Sequence, residues 1–395
     1  MSLFESNASV VSNNKIVVKA FRTTFLQLAR IKVNVFCFFC MSFFLITASF
    51  SQSNVIQGYV LDKQTHEPLP FAHVVIKNTG YGTVTNKEGY FRYIIPEHKD
   101  FPVEVSVSFV GYISRHATIA DSKSNIFSLQ PEKAVLPEII VEADFVNEML
   151  EKAFKSIPDN YPDDGSRYKG FYRQTLYKED SVVYMGEAFT DTYKSSYERS
   201  GMDSQIEILK FRKFAGTPNY EDSIKFYAGV FNTYLADYVK QKTYFLNPRF
   251  FDLFEYSFEN KISFRDEMHF YINFEHIEAD AKGRLLINEN DHAYANIYFE
   301  SVDSVLTGSF FRVFSTANVN YTKLDDVYYL NNYNINIYFI NLKTEETFLF
   351  NAVYAVSEAN LHDASPIPYS RTAKYRDIFM DSPIDTSRTF GITIT

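Results

Sequence analysis

The densest cluster of chemistry-bearing residues in the chain is His269, Glu275, His276 and Glu278. A zinc protease needs two histidines on one face with an acid beside them, as H-E-x-x-H provides on a helix. That motif is absent, and Met268, Phe270, Ile272 and Phe274 alternate here with polar residues, the pattern of a strand. Successive strand side chains point to opposite faces. His269 and Glu275 therefore share one face, while His276 falls on the other, in the apolar row of Phe274. Ligands on opposite faces do not meet at one ion, so these histidines read as core or surface residues.

A G-x-S-x-G nucleophile elbow and a Gly-rich phosphate loop are also missing from the sequence. A glycosidase needs only two carboxylates at the correct separation. The 48 Asp and Glu residues keep that chemistry open, but Asp163-Asp164 and Asp325-Asp326 both fall at expected turns. Aspartate favours turn geometry in its own right, so both pairs read as turn formers. No residue is assigned a catalytic, cofactor-binding or metal-binding role, and no cofactor is expected.

The elements that would have to position any site are mainly strands. The chain has 39 Phe and 29 Tyr but no Trp among 395 residues, and flat rings pack well on a pleated surface. That length accommodates two or three domains at about 100–200 residues each. Residues 1–51 read as a secretory signal peptide. Lys15, Lys19, Arg22, Arg30 and Lys32 precede an uncharged run from Val33 to Phe50, and Ser49 and Ser51 mark cleavage before Gln52. The alternative is an uncleaved segment that associates with the membrane. A lipidated Cys40 is disfavoured, because Phe38 and Phe39 precede it. Both cysteines, Cys37 and Cys40, lie in this leader, so the mature protein is expected to lack disulfides and thiol chemistry. Cleavage removes five positive charges and one negative, taking the formal net charge from −9 to −13. That sign argues against nucleic acid as a partner, since such binding neutralises phosphates with Lys and Arg.

Beyond Val55 the sequence breaks into short alternating runs separated by turn residues. Val103, Val105, Val107 and Phe109 alternate with Glu104, Ser106 and Ser108, and Gly89 closes a tight hairpin connection after Thr85-Asn86-Lys87-Glu88. Six or seven such strands within residues 52–131 predict a sandwich. Gly58-Tyr59-Val60-Leu61-Asp62, Pro68-Leu69-Pro70-Phe71-Ala72, Gly80, Thr85 to Phe91 and Phe109-Val110-Gly111-Tyr112 occur in order. Together they resemble the carboxypeptidase-like regulatory domain, a transthyretin-like β-sandwich of Gram-negative envelopes. The resemblance implies a non-catalytic module and no peptidase residues. Val135 to Ala143 looks like the strand that joins such domains to TonB-dependent receptor plugs, although the remaining chain is shorter than a plug and barrel.

Residues 132–165 read as a linker strand and a helix, with Asp144 as N-cap and Pro158 as its stop. A second helix is predicted over Ile224–Gln241 from its aromatic stripe. Residues 166–395 then predict an α+β domain with a large curved antiparallel sheet and a few helices, with turns at Glu289-Asn290-Asp291 and Asn341-Leu342-Lys343-Thr344. The meander resembles the half-barrel of periplasmic lipoprotein carriers in fold alone. The sequence therefore reads as an exported, non-enzymatic protein of the periplasm or outer membrane of a Gram-negative bacterium. Its expected partner is an envelope protein, a glycan or an apolar lipid ligand. A glycan or peptide hydrolase and a periplasmic lipid or lipoprotein carrier are the alternatives.

Overall fold

The computed structural model describes residues 54–79, 81–95, 99–132, 143–199, 204–215, 229–303, 311–362 and 364–374. The leader at 1–51, Gly80 and the expected joining strand at 135–142 lie outside them. Residues Asn54 onward cluster as one compact unit.

The first elements are β1 (Val55–Asp62), β2 (His73–Ile76), β3 (Gly82–Val84), β4 (Tyr90–Ile94), β5 (Val103–Ser108), β6 (Tyr112–Ile113), β7 (Arg115–Ile119) and β8 (Ser124–Pro131). They form two four-stranded sheets, β4-β1-β8-β6 and β3-β2-β5-β7. Val103, Val105 and Val107 point inward to meet Ile56, Val60, Phe91 and Leu129, so the alternation in β5 is the core of the predicted sandwich. Gly89 adopts φ +70°, as its hairpin position requires. Gly58 has a different reason to lack a side chain. It stands opposite Asn125 where β1 and β8 run parallel, and an added Cβ would lie 2.0 Å from the Asn125 carbonyl oxygen. Backbone cannot swing aside as a flexible side chain can. Gly58→Ala should therefore destabilise the protein by about 2–3 kcal/mol, read as an earlier denaturant midpoint; an unchanged midpoint would refute the close approach.

The third sheet has ten strands: β9 (Ser166–Lys178), β10 (Ser181–Lys194), β11 (Gln205–Ala215), β12 (Phe254–Phe264), β13 (Glu267–His276), β14 (Ala281–Asn288), β15 (Tyr294–Asp303), β16 (Phe311–Leu324), β17 (Val327–Asn341) and β18 (Thr347–Asn360). Every pairing is antiparallel and the order is β11-β10-β9-β18-β17-β16-β15-β14-β13-β12. Register shifts at Phe258/Asn260, Leu286/Ile287, Asn320/Tyr321 and Val356/Glu358 insert bulges, which bend strands and increase their twist.

Among the described residues, four short or medium helices lie with this sheet: α1 (Ala143–Lys155), α2 (Ile157–Asn160), α3 (Asn232–Leu235) and α4 (Tyr238–Gln241). Val146, Met149, Leu150 and Ala153 of α1 recur at helical spacing and pack into the large core on the inner face of the sheet. Two local expectations need correction. The first helix begins at Ala143, one residue before Asp144, and Pro158 sits in the first turn of α2 rather than after a stop. Proline fits there because that N–H has no helical partner. The predicted helix at 224–241 is broken within its described part, where a 3-10 turn at Gly229–Phe231 is followed by α3 and α4. The break falls at Asp237, which leaves helical geometry (φ −82°, ψ 75°) and caps α4 by accepting from the Lys240 amide. Among the described residues, no helix is long and apolar enough to cross a membrane.

Candidate functional site

The outer face of the ten-stranded sheet, opposite the helices, carries the sandwich. Ile262, Phe264, Leu286 and Ala295 form one apolar contact with Val110. Val84 forms a second with Phe171 and Ala355. Between the two lies a buried polar cluster. Asn331 Oδ1 lies 3.2 Å from His73 Nδ1, and Arg265 Nη2 approaches the same nitrogen at 2.9 Å. Asn332 Nδ2 is 3.1 Å from that nitrogen too. Burial holds the His73 imidazole well below its ordinary pKa, and the Arg265 guanidinium adds to the depression. Burial also brings the Arg265 pKa down to about 10. Its guanidinium stacks 4.7 Å from the Phe264 ring centroid. The Tyr93 hydroxyl donates to the Ser357 carbonyl at 3.0 Å, and the Ser263 amide donates to Glu132 at 3.1 Å.

Beyond this footprint the strand registers place side chains in rows across the outer face. One row runs Arg284, Tyr298, Asn318, Asn334, Val353, Arg173, from β14 to β9. The next runs Thr316, Asn336, Asn351, Thr175. Their amides are tied to one another. Asn351 Nδ2 donates to Asn334 Oδ1 at 2.7 Å and to Asn336 Oδ1 at 2.8 Å. Asn296 Nδ2 likewise donates to Asn318 and Asn320 at 2.7 and 2.8 Å.

At the β9 end of these rows the hairpin between β3 and β4 overhangs the sheet and leaves a cleft of about 180 Å³. Phe71, Val84, Phe171 and Val353 give it apolar walls, while Thr85, Asn86, Arg173, Thr175 and Asn351 supply polar groups. Lys87 on the hairpin lies 4.8 Å over the Tyr177 ring, a cation–π contact across the mouth. Glu88 is the one acid among the described residues lining the cleft. Arg173 and Arg212 share the carboxylate of Glu187, which is almost fully buried. The arrangement offers hydrogen bonds, ring faces and two cations, Lys87 and Arg173, beside one acid.

The histidines singled out from the sequence do not converge. The His269 ring is buried, donates from Nδ1 to the Glu267 carbonyl at 2.9 Å and packs edge-on to Phe264. Burial lowers its pKa to about 4. His276 lies edge-on to Phe254 and its Nδ1 accepts the backbone amides of Glu278 and Ala279. Among the described residues there is no cluster of three or more His, Cys, Asp or Glu able to hold a metal ion. Asp325 and Asp326 take φ +49° and +65° in the β16–β17 turn, as a hairpin turn with two left-handed positions demands.

Sequence reasoning missed a buried ion pair on the inner side. Lys194 donates to Asp237 Oδ2, with both side chains essentially excluded from solvent. Tyr197 donates to the same oxygen at 2.7 Å and Tyr321 to Oδ1 at 3.1 Å. Burial, then the Asp237 charge, raises both phenol pKa values well above their ordinary range. Around this pair the space between helices and sheet is filled by rings. Phe245 stacks on Phe274 and Phe299 at 4.9 and 5.3 Å, and Tyr161 on Tyr197 at 5.2 Å.

The chain matches the family description "CarboxypepD_reg-like domain" over residues 56–141. No curated protein matches it. Among solved structures it aligns with a domain named for outer membrane lipoprotein sorting from Vibrio parahaemolyticus, at 11% identity and a TM-score of 0.24, covering 53% of this chain and 91% of that one. A DUF1329 family protein from Desulfovibrio piger aligns at 7% identity and 0.24, over 53% and 92%. Lipovitellin aligns at 9% and 0.27, over 57% and 28%. None of these scores reaches that of a shared fold. The chain thus contains a CarboxypepD_reg-like domain, and a mainly β region built on the ten-stranded sheet follows it.

Proposed function

We propose that this is an exported, non-catalytic binding protein of a Gram-negative envelope, which holds its partner in the cleft between the sandwich hairpin and the outer face of the sheet. The leader-like residues 1–51 support the address. The observation that carries the reading is the cleft itself, which combines apolar walls with a few convergent polar groups, the composition of ligand sites in general. A hydrolase would need paired carboxylates there, and Glu88 has no acidic neighbour among the described lining residues. A lipid carrier would need room between the helices and the inner face, where stacked rings such as Phe245, Phe274 and Phe299 lie.

Hydrogen exchange tests this directly. Envelope extract is separated into protein, glycan and lipid fractions, and each is added to the full chain. At least one fraction should slow exchange at 84–88, 171–177 and 351–353. Val182, 41% exposed, lies at the cleft mouth, so Val182→Trp should weaken that protection about tenfold without lowering the melting temperature. No protection from any fraction would overturn the proposal.

A further inference from the structure

The asparagine rows beside the cleft have a chemistry of their own. From β15 to β9 the outer face presents Tyr298, Asn318 and Asn334 in one row and Thr316, Asn336, Asn351 and Thr175 in the next. Asn318 and Asn334 spend their carbonyl oxygens on Asn296 and Asn351. Among the described residues, their own Nδ2 groups donate to no protein acceptor. Each amide is thus held in a fixed orientation with two N–H donors in hand. A fixed donor loses little entropy on binding.

The charged side chains stand at the two ends of these rows, Arg284 and Glu300 toward β14–β15 and Arg173 on β9. Glu300 accepts from the Tyr298 hydroxyl at 2.7 Å and pairs with Lys282 at 3.1 Å, while Arg173 shares the Glu187 carboxylate with Arg212. From β16 to β18 the rows carry amides, a hydroxyl and Val353 but no charged side chain, so a ligand recognised along them is uncharged and rich in hydroxyl acceptors. One row further out stands Tyr338, 43% exposed, whose ring offers a face for stacking. Strands lie about 4.8 Å apart, so the platform from β15 to β9 spans roughly 19 Å and repeats a polar side chain at close to the length of one pyranose unit. Other partner classes fit less well. These strands are interior and have no free edge for a partner strand. The rows are too polar for a protein interface core or a lipid tail, and the acidic chain repels nucleic acid.

We infer that the outer face between the cleft and Tyr298 is a glycan-binding platform, which takes an extended, uncharged polysaccharide strand across β15–β9 and feeds its end under the β3–β4 hairpin. This deepens the proposed binding role and rests on it.

The test is calorimetric titration of the full chain with neutral linear hexasaccharides of glucose, mannose, xylose and N-acetylglucosamine. At least one should bind with a Kd of ~1 mM or tighter. Asn334→Ala and Tyr338→Ala should each weaken it about tenfold. Neither residue is fully buried, so melting temperatures should hold. If a variant does melt early, the other still decides the outcome. The inference is overturned if no hexasaccharide binds, or if binding ignores both variants. The exchange experiment separates the two ideas. Cleft protection by the protein or lipid fraction, without hexasaccharide binding, removes the glycan and leaves the binding role; no protection by any fraction removes both.

Discussion

Asp237→Ala should cost about 3–5 kcal/mol of stability, because it strands the Lys194 ammonium in a site closed to water. Three other groups lose their acceptor with it: the Tyr197 and Tyr321 hydroxyls and the Lys240 amide. Unsatisfied buried donors of this kind are expensive on their own. A buried ion pair nevertheless stabilises little relative to a well-packed apolar pair of similar volume. The double substitution Lys194→Met with Asp237→Leu should therefore recover much of the loss. Guanidinium unfolding of the single and double variants measures this. Equal destabilisation of the two would show that the charge is not the cause and that the tyrosine bonds carry the cost.

The second large effect is acid sensitivity centred on the sandwich–sheet interface. His73 and His269 both have folded pKa values below the ordinary 6.5, chiefly through burial and further through Arg265, with His269 at about 4. Between those values and pH 6.5 the unfolded chain binds protons that the folded one refuses, so stability falls as pH falls. Each histidine contributes a slope of about 1.4 kcal/mol per pH unit in that window. Most carboxylates remain ionised near pH 5.5, so a drop from pH 7.5 to 5.5 isolates the histidines. Stability should decrease by about 3 kcal/mol in total. His269→Gln should remove roughly half of the slope by the same reckoning, and a pH-independent midpoint over that range would contradict the buried, neutral assignment.

How much of this was legible in the sequence depends on whether the signal was local. Val103 to Ser108 announces a strand because burial of alternate valines is written in the residues themselves. Gly89 and Asp325-Asp326 mark turns through backbone preferences that need no partner. The stripe at 224–241 misled, since its apolar spacing is helical while the path is set by Asp237, whose carboxylate is claimed by Lys194 and two tyrosines distant in sequence. The burial of His73 is not local either. It faces away from the sandwich core, and only the ten-stranded sheet, bringing Arg265, Asn331 and Asn332, buries it. The asparagine rows did leave a trace. Asn332, Asn334 and Asn336 recur at every second residue of β17, as do Asn318 and Asn320 of β16. That is the strand period carrying one polar type where variety is the norm.

The pairing of β9 with β18 bears on how the chain reaches this state. The hairpins β9–β11 and the meander β12–β17 are each local, but the sheet joins them solely through β18. As the chain is made, β9 carries an unpaired edge from Lys178 until Thr347 and the residues after it have emerged. Closing so long a loop is slow, and an open edge invites pairing with other chains. A chain cut before Thr347 would lose far more than its last strand: it would hold two half-sheets with no ladder between them, each exposing an edge to its neighbours.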